Sequence, residues 1–336
     1  MIYVETGSTD VYYNFGLEYY FTTEKDLQDT VFLFWQTTPT LMVGKYQNVL
    51  EEINPSYVKE HDITLVRRMS GGGTIYTDPG GFQYTFIQRR DAREITFSEY
   101  IAPVIGALKE LGIEAAFNGR NDLTIGGRKI SGTAQYRTPH SLVHHGSLLF
   151  DTNIRRMVES TTVDEYKIIS KSIKSVRDRV TNIAEHLPEP LDRREFKQRM
   201  VASIMENHGG IGHSYTVTEE DDVRIRALAR EKFAGWENIY GKNPRFNIER
   251  SGHLPGGKMQ FFLQVEHGIV RSASVYGDFF STLGAEEIAS AIVGCRYVYE
   301  DIRDALKRNH VDQAIYRITA EDMAGLIVNE QRPAPR

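Results

Sequence analysis

The chain has 336 residues, of which 40% are hydrophobic and 25% charged. That composition excludes a disordered chain, and the length suits one large domain or two unequal ones. The formal net charge of −5 excludes a globally basic polyanion binder, so no nucleic-acid partner is expected and any phosphate contact must come from local positive charge.

The single cysteine, Cys295, excludes an internal disulfide and a cysteine-rich zinc site, and suits a reducing compartment. Met1 to Thr6 show no basic segment leading into an apolar stretch, and Val31 to Trp35 is too short to cross a bilayer. A cytoplasmic location without membrane contact is the expectation.

The first 150 residues read as alternating strands and helices. Strands are expected at Val31 to Gln36, Leu41 to Gly44, Ile63 to Val66 and Tyr84 to Ile87. Between the last two lies Arg67-Arg68-Met69-Ser70-Gly71-Gly72-Gly73. Consecutive glycines let several backbone N–H groups turn toward one anion, and adjacent guanidinium groups can clamp a carboxylate or phosphate. Taken alone, the run fits a solvated surface loop as well as an anion site. It is neither a P-loop nor a dinucleotide fingerprint, because the required lysine and glycine spacings are missing.

Residues 97–111 are expected to be helical, with Ile101, Val104, Ile105, Leu108 and Leu111 on one stripe. Thr96 and Glu99 suit a capping box and Gly112 a C-cap. The next segment, Asp122 to Ser131, reads as a hairpin around Gly126-Gly127. Pairing Ile125 with Arg128 and Thr124 with Lys129 continues to Leu123 with Ile130 and Asp122 with Ser131. Leu123, Ile125 and Ile130 then share an apolar face, and Asp122, Thr124, Lys129 and Ser131 share the other. A strand lysine is usually just solvated. One held rigidly beside an aspartate can stabilise charge that develops on an acyl phosphate.

His144 and His145 are neighbours on a strand, so at most one of them lines a site, and no third ligand nearby suggests a transition metal. Lys167 to Asn182 is rich in lysine, arginine and serine and reads as either a solvated surface or a cover over a phosphate-bearing ligand. Helices are expected at 191–207 and 219–233, and Tyr240 to Pro244 reads as a linker. Strands at Gly257 to Glu266 and Ile269 to Tyr276, with helices near 285–293, 299–308 and 320–329, make 247–336 a smaller α+β domain.

These segments, taken together, resemble the lipoate–protein ligases of the biotin/lipoate ligase superfamily. The resemblance is carried by Tyr13 to Glu18, Trp35 through Asn48, Arg67 to Tyr76, Gly119 to Leu123, Arg128 to Ala134, His144 to Leu149 and Ser175 to Asn182. It implies an α+β fold, with a large catalytic domain (1–246) of mixed sheet flanked by helices and an accessory domain (247–336). It also implies a two-step reaction. Lipoate and ATP give lipoyl-AMP and pyrophosphate, usually with Mg²⁺. The lipoyl group then passes to a lysine of a lipoyl domain, on 2-oxoacid dehydrogenase acyltransferase subunits or the glycine cleavage H protein.

By the same resemblance Lys129 is the catalytic residue. Trp35, Arg68, Ser70, Gly71, Gly72, Lys129, Gly132 and His145 lie along the lipoyl group. Arg68, Gly73, Thr74, Ile75, Tyr76, Asn121, Asp122 and Lys129 meet ATP or the adenylate, with Asp122 as the Mg²⁺ ligand. The chain departs from the family pattern at Thr77-Asp78, where many members have His-Asp, and at Pro79-Gly80-Gly81, where many have Leu-Gly-Asn. The rival readings are an acyltransferase of the same superfamily, a biotin ligase, and a non-catalytic lipoate-binding protein. The transferase chemistry needs a cysteine nucleophile, and Cys295 falls in the expected accessory domain.

Overall fold

The computed structural model describes residues 1–47, 49–89, 97–161, 176, 178–207, 212–239, 248–266 and 268–328. In chain order the strands are β1 (Ile2–Val4), β2 (Val31–Trp35), β3 (Thr40–Val43), β4 (Thr64–Arg67), β5 (Ile75–Thr77), β6 (Gly81–Gln88), β7 (Ala116–Phe117), β8 (Asp122–Ile125), β9 (Arg128–Arg137), β10 (Leu142–Leu149), β11 (His213–Tyr215), β12 (Ile248–Leu254), β13 (Gly257–Glu266) and β14 (Ile269–Gly277). The helices that position the site are α1 (Val11–Thr23), α2 (Ser98–Glu110), α3 (Ile154–Thr161), α4 (Arg193–Asn207), α5 (Glu219–Leu228), α6 (Ala285–Ser290), α7 (Tyr299–Arg308) and α8 (Ala320–Val328).

An 8-stranded sheet runs β11-β1-β2-β6-β10-β9-β8-β7, parallel at the β11/β1/β2 edge and antiparallel beyond it. Its central strands are buried on both faces: β2 is apolar throughout, and β10 buries His144, His145 and Ser147 along with its apolar residues. Phe32, Phe34, Phe82, Phe86 and Leu148 pack beneath Ile101, Val104 and Leu108 of α2 and Phe196, Met200 and Ile204 of α4. On the opposite face Leu33, Trp35, Ile87 and Val143 pack against Val11, Phe15 and Phe21 of α1 and Ile225 and Leu228 of α5. Each fully buried side chain of this size contributes about 1.5–3 kcal/mol. A second, 3-stranded sheet, β4-β3-β5, carries the arginine–glycine run out of β4. The C-terminal body is a 3-stranded antiparallel sheet, β12-β13-β14, with its own core against α6, α7 and α8.

The expected mixed α+β architecture with a separate C-terminal domain is the one observed. Gly112 follows α2 with φ +79, as a C-cap glycine does. Thr96 of the expected capping box lies outside the described residues, as do the linker residues Tyr240 to Pro244 and Lys167 to Ser175. Strand β12 went unread because its residues, Ile-Glu-Arg-Ser-Gly-His-Leu, carry little apolar signal.

The hairpin register needs one correction. Ile125 pairs with Arg128 and Thr124 with Lys129, but Leu123 then pairs with Ser131 and Asp122 with Gly132. A bulge at this point leaves Ile130 as the extra residue. The sorting of faces survives the shift: Ile130 and Leu123 lie in the main core and Lys129 lines the cavity side.

Candidate active site

Two adjoining cavities, with about 600 and 1140 Å³ of open space, lie over the α1 side of the large sheet. The first combines apolar side chains, Phe15, Trp35, Met42, Ile75 and Ala134, with polar ones, Arg68, Gln83, Thr85 and His145 among them. The second opens between Tyr76, Met157, Val158, Val176 and Arg179. Lys129, Gly132, Thr74, Ile75 and Ser147 belong to both linings, so Lys129 stands at the wall the two cavities share.

Lys129 is fixed from both directions. Its backbone N–H donates to Arg179 O at 2.7 Å and its carbonyl accepts from Thr181 N–H at 3.0 Å, which splices residues 179–181 onto β9. Its ammonium lies 2.7 Å from Asp122 Oδ1. To reach that carboxylate the side chain crosses Gly132, where a Cβ would stand 3.0 Å from Nζ. A larger residue there would push the ammonium a few tenths of an ångström off this path. Asp122 itself lines neither cavity; Asn121 lines the first and anchors to Thr133 O at 3.1 Å.

The two arginines separate. Arg67, expected as half of an anion clamp, spends its donors on the carbonyls of Gly44, Lys45, Gln47 and Ile239. Successive side chains on an extended segment point apart, and Arg67 ties that loop to the strand instead. Arg68 is buried on the first cavity wall. Its guanidinium holds the glycine run together through Met42 O, Gly71 O and Gly73 O at 2.7–2.8 Å and Ser70 Oγ at 3.2 Å. No carboxylate among the described residues pairs with it, and burial together with neighbouring Arg67 pushes it down to about 10. A buried cation without a counter-ion is a standing invitation to an anion.

His145 lines the first cavity and is wired at both nitrogens. Nδ1 lies 3.1 Å from Glu18 Oε2, and Nε2 lies 2.6 Å from Ser70 Oγ. Glu18 also accepts from Thr85 Oγ1 at 2.8 Å and Tyr136 OH at 3.1 Å. Hydroxyl donors on both of its oxygens make it an acceptor, so Nδ1 of His145 carries the hydrogen that meets it. Burial first, then Glu18, pushes the Tyr136 phenol far up, so it remains a donor. His144 faces the other way, stacked on Tyr100 at 4.9 Å, and burial pushes it well below its usual value.

Of the other expected residues, Trp35, Gly72, Gly73, Thr74 and Ile75 line the first cavity and Tyr76 the second. Ser70 and Gly71 line neither. Ser70 works behind His145, and Gly71 abuts Phe279 O, where a Cβ would stand at 2.1 Å. The unusual Thr77 to Gly81 stretch also lines neither cavity. Thr77 accepts from Gln83 Nε2 at 2.9 Å, and Asp78 accepts from the N–H groups of Gly80 and Asn153, leading into α3. Gly80 is forced by contact with Asp151 O, 1.9 Å from its missing Cβ.

Sequence reasoning missed Glu18, Gln83, Thr85 and Phe280. Glu18 had one readable signal: it stands as a lone carboxylate within Phe15-Gly16-Leu17-Glu18-Tyr19-Tyr20-Phe21 of α1, a helix buried on nearly every side. Cys295 lies in the C-terminal body, half-buried against its core and away from both cavities, and burial raises its thiol. Among the described residues, no helix is long and apolar enough to cross a membrane.

Residues 10–205 match the lipoyl protein ligase A/B catalytic domain model, and residues 243–327 match the bacterial lipoate protein ligase C-terminus model. A lipoate–protein ligase of Bacillus subtilis (strain 168) is 36% identical over 97% of this chain and 100% of its own length. A P. falciparum protein solved in complex with lipoate shares the fold, with TM-score 0.78 at 19% identity over 98% of this chain and 99% of its own. A lipoate-protein ligase A solved with ATP gives TM-score 0.60 at 21% identity, covering 71% of this chain and 97% of its own. On its sequence, its two matching domains and its fold, the chain belongs to the lipoate–protein ligase family.

Proposed function

We propose that this enzyme activates lipoate with ATP and passes the lipoyl group to lysines of lipoyl-carrier domains. One observation carries the reading: among the described residues one lysine, Lys129, stands where a cavity with an apolar floor meets a second one, and the sole cysteine is elsewhere. In this reading the lipoyl chain lies against Phe15, Trp35, Met42 and Ile75, and the nucleotide occupies the second cavity.

In the first step a carboxylate oxygen of lipoate attacks the α-phosphorus. The new O–P bond forms as the bond to the β-phosphate breaks, and pyrophosphate leaves. Lys129 exchanges Asp122 for the acyl and phosphate oxygens and stabilises charge there, with the buried Arg68 cation behind the glycine run. In the second step the neutral ε-amine of the acceptor lysine attacks the acyl carbon, and Lys129 stabilises the oxyanion that forms there. The C–O bond to AMP then breaks, AMP departs with the oxygen of that bond, and the amine's extra proton passes to solvent. A donor aimed at such charge is worth about 10²–10³ in rate.

Mg²⁺ commonly binds through one or two carboxylates plus substrate phosphates. Asp122 offers one such carboxylate beside Lys129, so it fits as the protein ligand of a Mg²⁺ that would neutralise the departing pyrophosphate. The acceptors proposed are the lipoyl domains of 2-oxoacid dehydrogenase acyltransferase subunits and the glycine cleavage H protein, in the cytoplasm. The domain boundary is placed at 246/247.

The transferase alternative lacks support, because Cys295 lines neither cavity. Incubation with lipoate, Mg-ATP and purified lipoyl domains tests the proposal. A lipoyl mass added to one lysine, dependent on ATP, is expected. Modification without ATP from a lipoyl thioester donor, but not from free lipoate with ATP, would favour the transferase, and no modification of any acceptor from either donor would favour a binding protein.

A further inference from the structure

We infer that Phe280, delivered by the C-terminal body, forms a wall of the acyl cavity and helps decide which acids it admits. The inference rests on the reading of the first cavity as the acyl site. Phe279 and Phe280 are consecutive, yet they join different cores. Phe279 belongs to the core of its own domain, stacked on Tyr46 at 4.5 Å and 1°. Phe280 belongs to the main catalytic core, edge-on to Phe97 at 5.5 Å and 71°, and it lines the cavity that holds Trp35 and Lys129.

Its placement is held by backbone on both sides. Gly72 N–H donates to Phe279 O at 3.1 Å, and Tyr316 N–H donates to Phe280 O at 3.0 Å. Tyr46 OH donates to Leu283 O at 2.6 Å, tying the next turn to the loop after β3. The ring lies so close over the glycine run that a Cβ on Gly72 would stand 2.8 Å from it. Gly72, at φ +88, also takes a conformation that favours glycine.

An aromatic ring held this firmly over Gly72 acts in two ways. It supplies apolar contact to a chain in the cavity, and it limits the width of what can enter. The catalytic domain's substrate wall is therefore incomplete without the second domain. Phe279 is the contrasting neighbour: it braces the docking through Tyr46 and does not line the cavity.

The test is acid-dependent exchange of pyrophosphate into ATP by the full chain, measured with lipoate, octanoate and the wider 8-phenyloctanoate. Phe280→Ala should raise KM for lipoate about tenfold and shift the kcat/KM ratio about tenfold toward the phenyl acid, the range a lost pocket contact commands. Phe280→Leu should fall between, and Phe280→Trp should shift the ratio the other way. Phe279→Leu, a loosened brace, should slow all three acids alike. If the Phe280 variants keep the wild-type ratio, or lower every acid equally, Phe280 is only a brace and the inference fails. Absence of lipoate-dependent exchange in the wild type would instead overturn the functional reading itself, and this inference with it. Should Phe280→Ala not fold, the Leu and Trp variants decide the matter.

Discussion

Two neighbouring rows of residues cross the large sheet side by side. One runs Phe32, Phe86, His144, Gln135; the next runs Leu33, Thr85, His145, Ala134. Both rows are buried, and each contains a histidine. In the first row His144 is packed as a ring. It stacks on Tyr100, accepts a hydrogen bond at Nδ1 from Gln135 Nε2 at 3.1 Å, and has no partner for Nε2 among the described residues. In the second row His145 is one link in a chain from Glu18 to Ser70 and on to Arg68. Burial therefore does not separate the structural face from the functional one. What separates them is whether the wiring between buried polar atoms ends in a local pair or runs on to the cavity wall, as it does from Glu18 through His145.

The largest effect expected is on the first face. Phe196→Ala removes a ring stacked on Phe150 at 4.2 Å and should cost about 3–5 kcal/mol in denaturant unfolding. The kinetic constants of the remaining folded enzyme should stay as in wild type. A change in KM for lipoate in this variant would mean that the two faces are coupled. Next comes Lys129→Ala, which should slow lipoyl-AMP formation by about 10²–10³ while leaving the melting temperature unchanged, since the hairpin's core face is untouched.

Glu18→Gln asks whether the wiring matters. Both carboxylate oxygens accept hydroxyl donors, so an amide strands one donor. A loss of about 1–3 kcal/mol in stability is expected, with kcat/KM for lipoate falling as His145 loses its orientation. Full retention of both would show that the chain of contacts is packing only.

The smallest effect lies at the edge of the second face. Burial alone would raise the Asp221 carboxyl, but hydrogen bonds from Tyr20, Tyr215 and Thr218 outweigh it and hold Asp221 well below the usual carboxylate range. A lowered folded pKa contributes stability above the unfolded value near 4, lost as the pH falls through the folded one. Asp221→Asn should cost about 1 kcal/mol at pH 7. The gap to wild type should narrow in acid, as followed by urea unfolding at pH 7 and pH 3.

Much of this was legible in the sequence where the signal is local. The stripe from Ile101 to Leu108 gives α2, and alternation separates His144 from His145. The meeting of Lys129 with Asp122 was also readable, although by way of the wrong register. The bulge at Ile130 shifts the pairing beyond Thr124 by one residue, which the two-residue Gly-Gly turn alone does not reveal. Arg67 was misread because its acceptors are carbonyls, one of them on Ile239, and carbonyls leave no mark in a sequence. Phe280 was invisible for a related reason: only docking of the second domain brings it to Gly72. The two family departures, Thr77 and Pro79 to Gly81, prove to be matched to Gln83, Asp151 and Asn153 behind the cavities.

The most direct test of the central claim is lipoate-dependent exchange of labelled pyrophosphate into ATP, measured without any acceptor protein on the wild type and on Lys129→Ala. Exchange that requires both lipoate and ATP, and that disappears in the variant while its melting temperature holds, is the result expected of an adenylating enzyme with Lys129 at its centre. Lipoate binding with no exchange in the wild type, or undiminished exchange in the variant, would contradict the account.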